Sequence, residues 1–169
     1  MMAFRIEGGV SAASPIHRKG FGMKRLLTGL AAVLAVSGAM AQATPAGLWK
    51  SVDDSTKKER SLVRITDSGG VFSGKIEKLL DPDTPQDKVC DKCTDERKDK
   101  PVLGLNIIRG VKKSEDSDDQ WDGGSILDPA NGKTYKVRLT LVESGRKLQV
   151  RGYIGTPVIG RTQVWTRVE

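Results

Sequence analysis

Short extended stretches recur along residues 47–168, and a turn-forming segment follows nearly every one of them. The stretches are 47–52, 61–66, 71–80, 102–113, 121–127, 133–142, 147–155 and 161–168. Within 133–142, Tyr135, Val137, Leu139 and Leu141 alternate with lysine, arginine and threonine. A period of two is typical of a β-strand with one face in a core and the other in water. The chain is therefore predicted to be all-β.

The turns between these stretches favour consecutive antiparallel pairing. Asn131-Gly132 and Ser144-Gly145 provide residues that accept a positive φ, as tight hairpins require. Eight strands joined in this way can close into an up-and-down barrel, which removes the unpaired edges of an open sheet. We therefore predict an eight-stranded antiparallel barrel with one long loop, residues 81–101. The start of 102–113 is ambiguous and could include a turn of helix.

An eight-stranded barrel is either filled by its own side chains or holds one small ligand. Alternation nominates the side chains that would line such an interior. These ligand-lining candidates are Phe72, Ile76, Ile126, Tyr135, Val137, Leu139, Val150 and Ile154. A fully packed interior would nominate the same set, so the pattern alone leaves both interpretations open.

The N-terminal region has the pattern of a secretory signal peptide. Lys24 and Arg25 precede an apolar run from Leu26 to Val36, and small residues end at Ala41. We expect residues 23–41 to be the signal, with cleavage after Ala41 or alternatively after Ala43. Residues 1–22 are interpreted as a non-native extension, and 42–169 as a single domain in the periplasm or outside the cell. The apolar run is too short for a membrane span, so none is expected after cleavage.

Loss of residues 1–41 changes the charge and removes a whole class of chemistry. It leaves 23 basic and 20 acidic residues (28 − 5 and 21 − 1), a net charge of +3. That small excess does not indicate nucleic-acid binding. The one histidine, His17, is also lost, which excludes histidine-based catalysis and metal sites from the mature part. We predict no enzyme, metal or cofactor, although paired acids such as Asp122 and Asp128 leave catalysis as a third alternative.

Cys90 and Cys93 are the two cysteines of the chain, and three interpretations apply to them. A redox pair would need the N-terminus of a helix in a βαβ unit, and zinc would need four ligands. An oxidising compartment favours a disulfide. We expect a disulfide that orders the 81–101 loop, with the redox and metal interpretations as alternatives.

Several segments resemble those of known families. "GLW" at 47–49 resembles the G-x-W signature of the lipocalins, within the calycin superfamily. This resemblance implies structural roles for Gly47 and Trp49, with a cation from Arg167 or Arg161 packed across the Trp49 ring. The chain also resembles the bacterial envelope family known as domain of unknown function 2147, through "GKIEKLL", "CDKC", "ILDPANGKTYK" and "GRTQVWTR". That resemblance implies a calycin-like barrel and no established activity.

These observations predict a binding protein. Our first hypothesis is a barrel that holds a small apolar or amphiphilic ligand inside. The alternative is a non-enzymatic envelope protein that meets an unknown protein partner through the 81–101 loop or its outer face. Loops of that length are often functional.

Overall fold

The computed structural model describes residues 43–169, and these residues form eight β-strands. The strands are β1 (Gly47–Val52), β2 (Glu59–Ser68), β3 (Val71–Leu79), β4 (Asn106–Lys113), β5 (Gln120–Asp128), β6 (Lys133–Val142), β7 (Lys147–Tyr153) and β8 (Gly160–Arg167). Each strand pairs antiparallel with the next, and β8 pairs with β1, so the sheet closes into a barrel. The predicted eight-stranded up-and-down barrel is confirmed.

The seam between β1 and β8 is the shortest ladder of the barrel. It has two residue pairs, Trp49 with Arg167 and Lys50 with Thr166, whereas β7 and β8 share seven. Beyond Lys50 the two strands no longer pair, although β1 continues to Val52. The barrel wall is therefore fully hydrogen-bonded at one end of this seam and loosely joined at the other.

An up-and-down topology sends alternate loops to opposite ends of the barrel. The β1–β2, β3–β4, β5–β6 and β7–β8 connections, residues 53–58, 80–105, 129–132 and 154–159, lie at one end. We call this the open end. The other three connections lie with residues 43–46 and 168–169 at what we call the closed end.

The packed core fills the barrel towards the closed end. Residues paired across antiparallel strands share a face, so Trp121, Leu139 and Val150 line up on the inner face of β5, β6 and β7. The fully buried apolar side chains of the strands include Trp49, Val63, Ile65, Ile108, Val111, Val137, Leu139 and Leu148. The Phe72 and Trp121 rings meet edge to face at 6.1 Å between centroids. Aromatic pairs prefer this arrangement.

Six strands differ from the sequence pattern at one or both ends, and the differences at β4 and β7 bear on the predicted site. Residues 102–105 form a turn, closed by a hydrogen bond from Leu105 N to Val102 O, and β4 begins only at Asn106. At the other place, β7 ends at Tyr153 because Gly155, with φ of +70°, begins the turn into β8. Ile154, predicted to face inward on β7, therefore lies in the β7–β8 loop.

The long β3–β4 loop is folded on itself. Cys90 and Cys93 form a disulfide, as predicted, with their Cα atoms 5.4 Å apart. Val89 and Pro101 form an isolated antiparallel bridge, and backbone hydrogen bonds join Cys90 N to Lys100 O and Val102 N to Lys88 O. Both cysteines belong to the same buried cluster as the barrel core. The loop is thus an ordered extension of the barrel.

The predicted extension 1–22, the predicted signal peptide 23–41 and its cleavage after Ala41 lie outside the described residues. Within residues 43–169, the structure contains no helix of the length and apolar character needed to cross a bilayer.

Candidate functional site

The closed end is blocked by Trp49, whose ring is fully buried. Its Nε1 donates to Pro45 O at 2.8 Å, and the Arg167 guanidinium lies 4.2 Å from the ring centroid. Arg167 also donates to Gly145 O at 2.7 Å, Ala46 O at 2.8 Å and Thr44 O at 2.7 Å. Burial lowers the pKa of Arg167, but a guanidinium remains charged, and its charge is stabilised by these carbonyls, by Glu169 O at 3.4 Å and by a π-face.

At the open end the barrel contains a cavity of about 600 Å³. Drug-sized ligands occupy pockets of about 300–1,000 Å³, so this cavity has room for one small molecule. Its apolar wall is formed by side chains of β3, β4, β5 and β7: Ile76, Leu79, Ile107, Ile126 and Val150. All four loops of the open end contribute to its rim. The same barrel is therefore packed at one end and hollow at the other.

A strip of hydrogen-bonding side chains runs along the opposite wall, on β1, β2 and β8. Ser51 and Ser61 are buried, and their hydroxyl oxygens are 2.8 Å apart. Gln163 accepts a hydrogen bond from Trp165 Nε1 at 3.0 Å through Oε1, while its amide nitrogen has no partner among the described residues. Because all three residues line the cavity, a ligand there meets both an apolar wall and groups that can donate to an oxygen.

The rim carries two arginines, each paired with a carboxylate. Arg60 Nη1 lies 2.7 Å from Asp81 Oδ2. Arg161 on β8 donates from Nε to Asp54 Oδ2 at 2.6 Å and from Nη2 to Ser55 Oγ at 2.8 Å. This bond lowers the pKa of Asp54 and crosses the seam between β8 and the β1–β2 loop, where the ladder has ended. The rim is charged but locally neutral, so it does not select strongly for a charged ligand.

Part of the rim comes from the β3–β4 loop through Thr84, Lys88 and Val102. The loop is tied to the barrel by Arg97, whose side chain is 6 % exposed. Its Nη1 donates to Asn106 O on β4 at 3.2 Å, and its Nη2 donates to Thr134 Oγ1 on β6 at 3.1 Å. The Arg97 side chain also hydrogen-bonds Asp95 and holds the pKa of that carboxyl at about 2. A fixed loop gives the cavity a wall of fixed shape.

The structure divides the ligand-lining candidates between the two halves of the barrel. Ile76, Ile126, Tyr135, Val150 and Ile154 line the cavity, and Ile154 does so from the rim, where it is 66 % exposed. Phe72, Val137 and Leu139 lie in the packed core. These three residues are not part of the cavity lining, so the prediction that they contact a ligand has no support from it.

The two arginines proposed for the Trp49 stack are also separated. Arg167 packs on the Trp49 ring, and Arg161 lies at the open end against Asp54. Gly47, with φ of +137°, lies beside this stack, since a Cβ there would come within 2.5 Å of Arg167 Nη1. Asp122 and Asp128, the acids of the catalytic alternative, lie near opposite ends of strand β5. Asp122 forms an ion pair with Arg138, and Asp128 lines the cavity.

Sequence reasoning did not nominate the polar strip. Ser51 lies two residues after Trp49, and Gln163 lies two before Trp165, so a period of two would have placed both inside. Their polarity obscured that signal. Tyr153 was also not nominated, because it lies one residue after Gly152 and so off the alternation of Leu148 and Val150, yet it is 8 % exposed and lines the cavity beside Gly160.

Comparison with protein families gave a match over residues 47–167 to the family described as "Uncharacterized protein conserved in bacteria (DUF2147)". The chain belongs to this family. The match spans all eight strands of the barrel, and it confirms the family resemblance found in the sequence. Comparison with curated proteins gave no match.

Among solved structures, the chain is similar to protein HP1028 from Helicobacter pylori, which is described as belonging to the lipocalin family. The TM-score is 0.64 at 19 % sequence identity, over 75 % of this chain and 84 % of HP1028. At that identity the similarity shows the fold alone, so this DUF2147 barrel is lipocalin-like in architecture.

The described residues contain no group of three or more histidine, cysteine, aspartate or glutamate side chains placed to hold a metal ion. The arrangement that the open end does provide is a hollow with one apolar wall, one hydrogen-bonding wall and a neutralised rim. Such a site can bind and orient a small amphiphile.

Proposed function

We propose that this DUF2147 barrel binds one small amphiphilic molecule, without catalysis, in the cavity at its open end. One observation supports this most directly: the cavity of about 600 Å³ has a wall of five aliphatic side chains facing a strip of serine and glutamine. The apolar part of the ligand lies against Ile126 and Val150, and its oxygen accepts a hydrogen bond from the Gln163 amide or from the Ser51–Ser61 hydroxyl pair. The lipocalin-like fold is compatible with this role.

Gly152 offers a direct way to block the cavity. It lies on the inner face of β7, and a Cβ added there would contact Ile126 at 3.6 Å and Tyr135 at 3.7 Å, which are ordinary van der Waals distances. The Gly152→Phe variant therefore places its ring in the cavity without displacing the backbone. Gln149→Phe adds the same ring to the exposed outer face of the same strand and serves as the matched control.

The test combines native mass spectrometry with displacement of a fluorescent fatty-acid probe. We expect wild-type protein and Gln149→Phe to retain a bound amphiphile, and Gly152→Phe to lose it, with probe affinity reduced at least about tenfold. A cooperative urea-unfolding transition shows that each variant is folded. Gly152→Leu repeats the test with a smaller side chain. Equal probe affinity in Gly152→Phe and the control would contradict binding in this cavity.

We also propose that the protein works in the periplasm or outside the cell. The Cys90–Cys93 disulfide supports this location because such bonds persist in oxidising compartments. Fractionation of the producing cells, with intact-mass measurement of the N-terminus, tests both the location and the cleavage after Ala41. A protein found in the cytoplasm with two free thiols would contradict it.

The alternative function, contact with a protein partner through residues 81–101, has one observation in its favour. The disulfide and Arg97 hold this loop in a defined shape, so it presents a constant surface. Crosslinking in living cells, compared between wild-type protein and a variant with charge reversals on the loop, would detect such a partner. A partner lost only in the loop variant would favour this function over ligand storage.

A further inference from the structure

The three most exposed large apolar side chains of the described residues lie on one loop. Val158 is 85 % exposed, Ile159 is 70 % exposed and Ile154 is 66 % exposed, whereas each of the other exposed large apolar residues is near half or below. We call these three residues the apolar lip. Single exposed apolar residues are ordinary on a protein surface, but a cluster of three on one loop indicates a contact surface.

The lip is held in its exposed position by Arg151 on β7. The Arg151 side chain donates from Nε to Pro157 O at 2.6 Å, from Nη2 to Val158 O at 3.2 Å and from Nη1 to Thr162 Oγ1 at 2.7 Å. Within the loop, Ile154 N donates to Ile159 O at 3.1 Å. These bonds fix the loop while its aliphatic side chains point into solvent.

Two cations, Arg151 and Lys136, lie beside the lip. Arg151 and Lys136, which pairs with Tyr153 beside the lip, have no carboxylate within ion-pair distance among the described residues. Among the acids of the rim, Asp53 and Asp54 face Arg161, and the Asp128 carboxylate accepts hydrogen bonds from its own turn where it lines the cavity. An apolar loop flanked by Arg151 and Lys136 matches the chemistry of a lipid bilayer, in which anionic headgroups cover an apolar interior.

The lip is also continuous with the cavity. Ile154 and Ile159 line the cavity with the same loop that carries Val158. We propose that the apolar lip inserts into the interface of an anionic lipid bilayer and sets the mouth of the barrel against the membrane surface. Interfacial binding of this kind depends on buried apolar area plus attraction between cations and anionic lipid. The proposal goes beyond ligand binding, because docking requires no occupied cavity.

The test is flotation with vesicles of phosphatidylethanolamine and phosphatidylglycerol, using protein in the form that its own cell produces. Val158→Asp places a carboxylate at the tip of the lip. Val168→Asp makes the same change at the closed end, where Val168 is 51 % exposed, and is the matched control. Any contribution of residues 1–42 is the same in all variants.

We expect Val158→Asp to reduce the bound fraction at least about tenfold, because a charge must leave water to enter the interface. Lys136→Gln should reduce it about fivefold, the effect of one cation near an anionic surface. Val168→Asp should bind as wild type does, and vesicles of phosphatidylcholine should bind more weakly. Gly152→Phe should bind vesicles normally, which separates failure of this proposal from failure of the proposed function.

Three results would overturn membrane docking. The first is wild-type protein that does not float with the anionic vesicles, and the second is equal flotation of Val158→Asp and Val168→Asp. The third is a lipid-free dimer that Val158→Asp converts to a monomer in analytical ultracentrifugation. That last result would assign the lip to a second copy of the chain.

Discussion

The closed and open ends of this barrel are built from the same eight strands but use charge in different ways. At the closed end, Arg167 is surrounded by four backbone carbonyls and the Trp49 ring. At the open end, Arg161 lies on the same strand and pairs with the half-buried Asp54 of the β1–β2 loop. A charge held by carbonyls and an aromatic face closes a core, whereas a charge held by a carboxylate on a rim loop leaves room beside it.

One glycine at each end, Gly47 and Gly152, shows the same difference. A Cβ on Gly47 would come within 2.5 Å of Glu169 O, and its φ of +137° is in the region that favours glycine. A Cβ on Gly152 would meet only ordinary contacts. There is no room for a side chain beside the Arg167–Trp49 stack, whereas the space beside Gly152 can take a side chain or a ligand. Stability should therefore depend mainly on the closed end and binding mainly on the open end.

Truncation of Trp49 should cause the largest loss in the free energy of unfolding. Trp49→Ala removes a fully buried indole, and such changes cost about 3–5 kcal/mol in the free energy of unfolding. Its counterpart at the open end is Ile126→Ala, which enlarges an existing cavity and should cost less than about 2 kcal/mol. Urea denaturation measures both. Equal losses would show that the open end is as tightly packed as the closed end.

The two arginines of β8 provide the next comparison. Arg167→Lys loses the planar fork that donates to four carbonyls, and we expect a cost of about 1.5–3 kcal/mol. Arg161→Lys changes an ion pair whose arginine side chain is 58 % exposed, and it should cost less than about 1 kcal/mol. Both variants keep the charge, so the measured difference reports geometry and burial. A larger loss for Arg161→Lys would reverse the roles of the two ends.

These two arginines also show what the sequence could and could not predict. Residues 161, 163, 165 and 167 all share the inner face of β8, so alternation cannot select which arginine reaches Trp49. The choice depends on register, since β1 pairs Trp49 with Arg167, and register is set by the closure of the whole barrel. By contrast, the bounds of β1 and β6 follow from local alternation and turns, and the sequence predicted them correctly.

The ligand-lining candidates illustrate the same limit. Alternation places Val137, Leu139 and Val150 on inner faces, and burial agrees with it. Whether an inner face meets packed side chains or a hollow depends on its height along the barrel and on the sizes of residues from other strands. Serine at position 51 and glycine at position 152 leave space at the open end that large residues occupy at the closed end. No single strand contains that information.

The disulfide should have a smaller and more local effect. The Cys90→Ala and Cys93→Ala double variant opens a very short covalent loop, so the chain-entropy model gives a loss of about 2 kcal/mol at most. We expect hydrogen exchange to increase at the amides of Cys90 and Val102, which bond within the β3–β4 loop. Exchange at the closed end should not change. Faster exchange throughout the barrel would mean that the loop supports the whole fold.

Acidification should destabilise the open-end loops more than the closed end, and of the changes considered it should alter the global free energy of unfolding least. Every aspartate or glutamate with a lowered pKa in the described residues lies in an open-end loop: Asp53, Asp54, Asp81, Asp95 and Glu96. The largest shift is at Asp95, where hydrogen bonds from Arg97 hold the pKa at about 2. A carboxyl with a lowered pKa contributes stability above its unfolded value near 4 and loses it as the pH falls through its folded value.

Acidification from pH 5 to pH 2 should therefore loosen the open-end loops first. Native-state hydrogen exchange, corrected for the intrinsic pH dependence of amide exchange, should show lost protection around Asp95 while the amides of Trp49 and Val168 stay protected. In Asp95→Asn the β3–β4 loop should be less protected at pH 5 and should change less on acidification, because no carboxylate remains there to be neutralised. Simultaneous loss of protection at both ends would show that the barrel opens as one cooperative unit, and the division between a supporting end and a binding end would then be wrong.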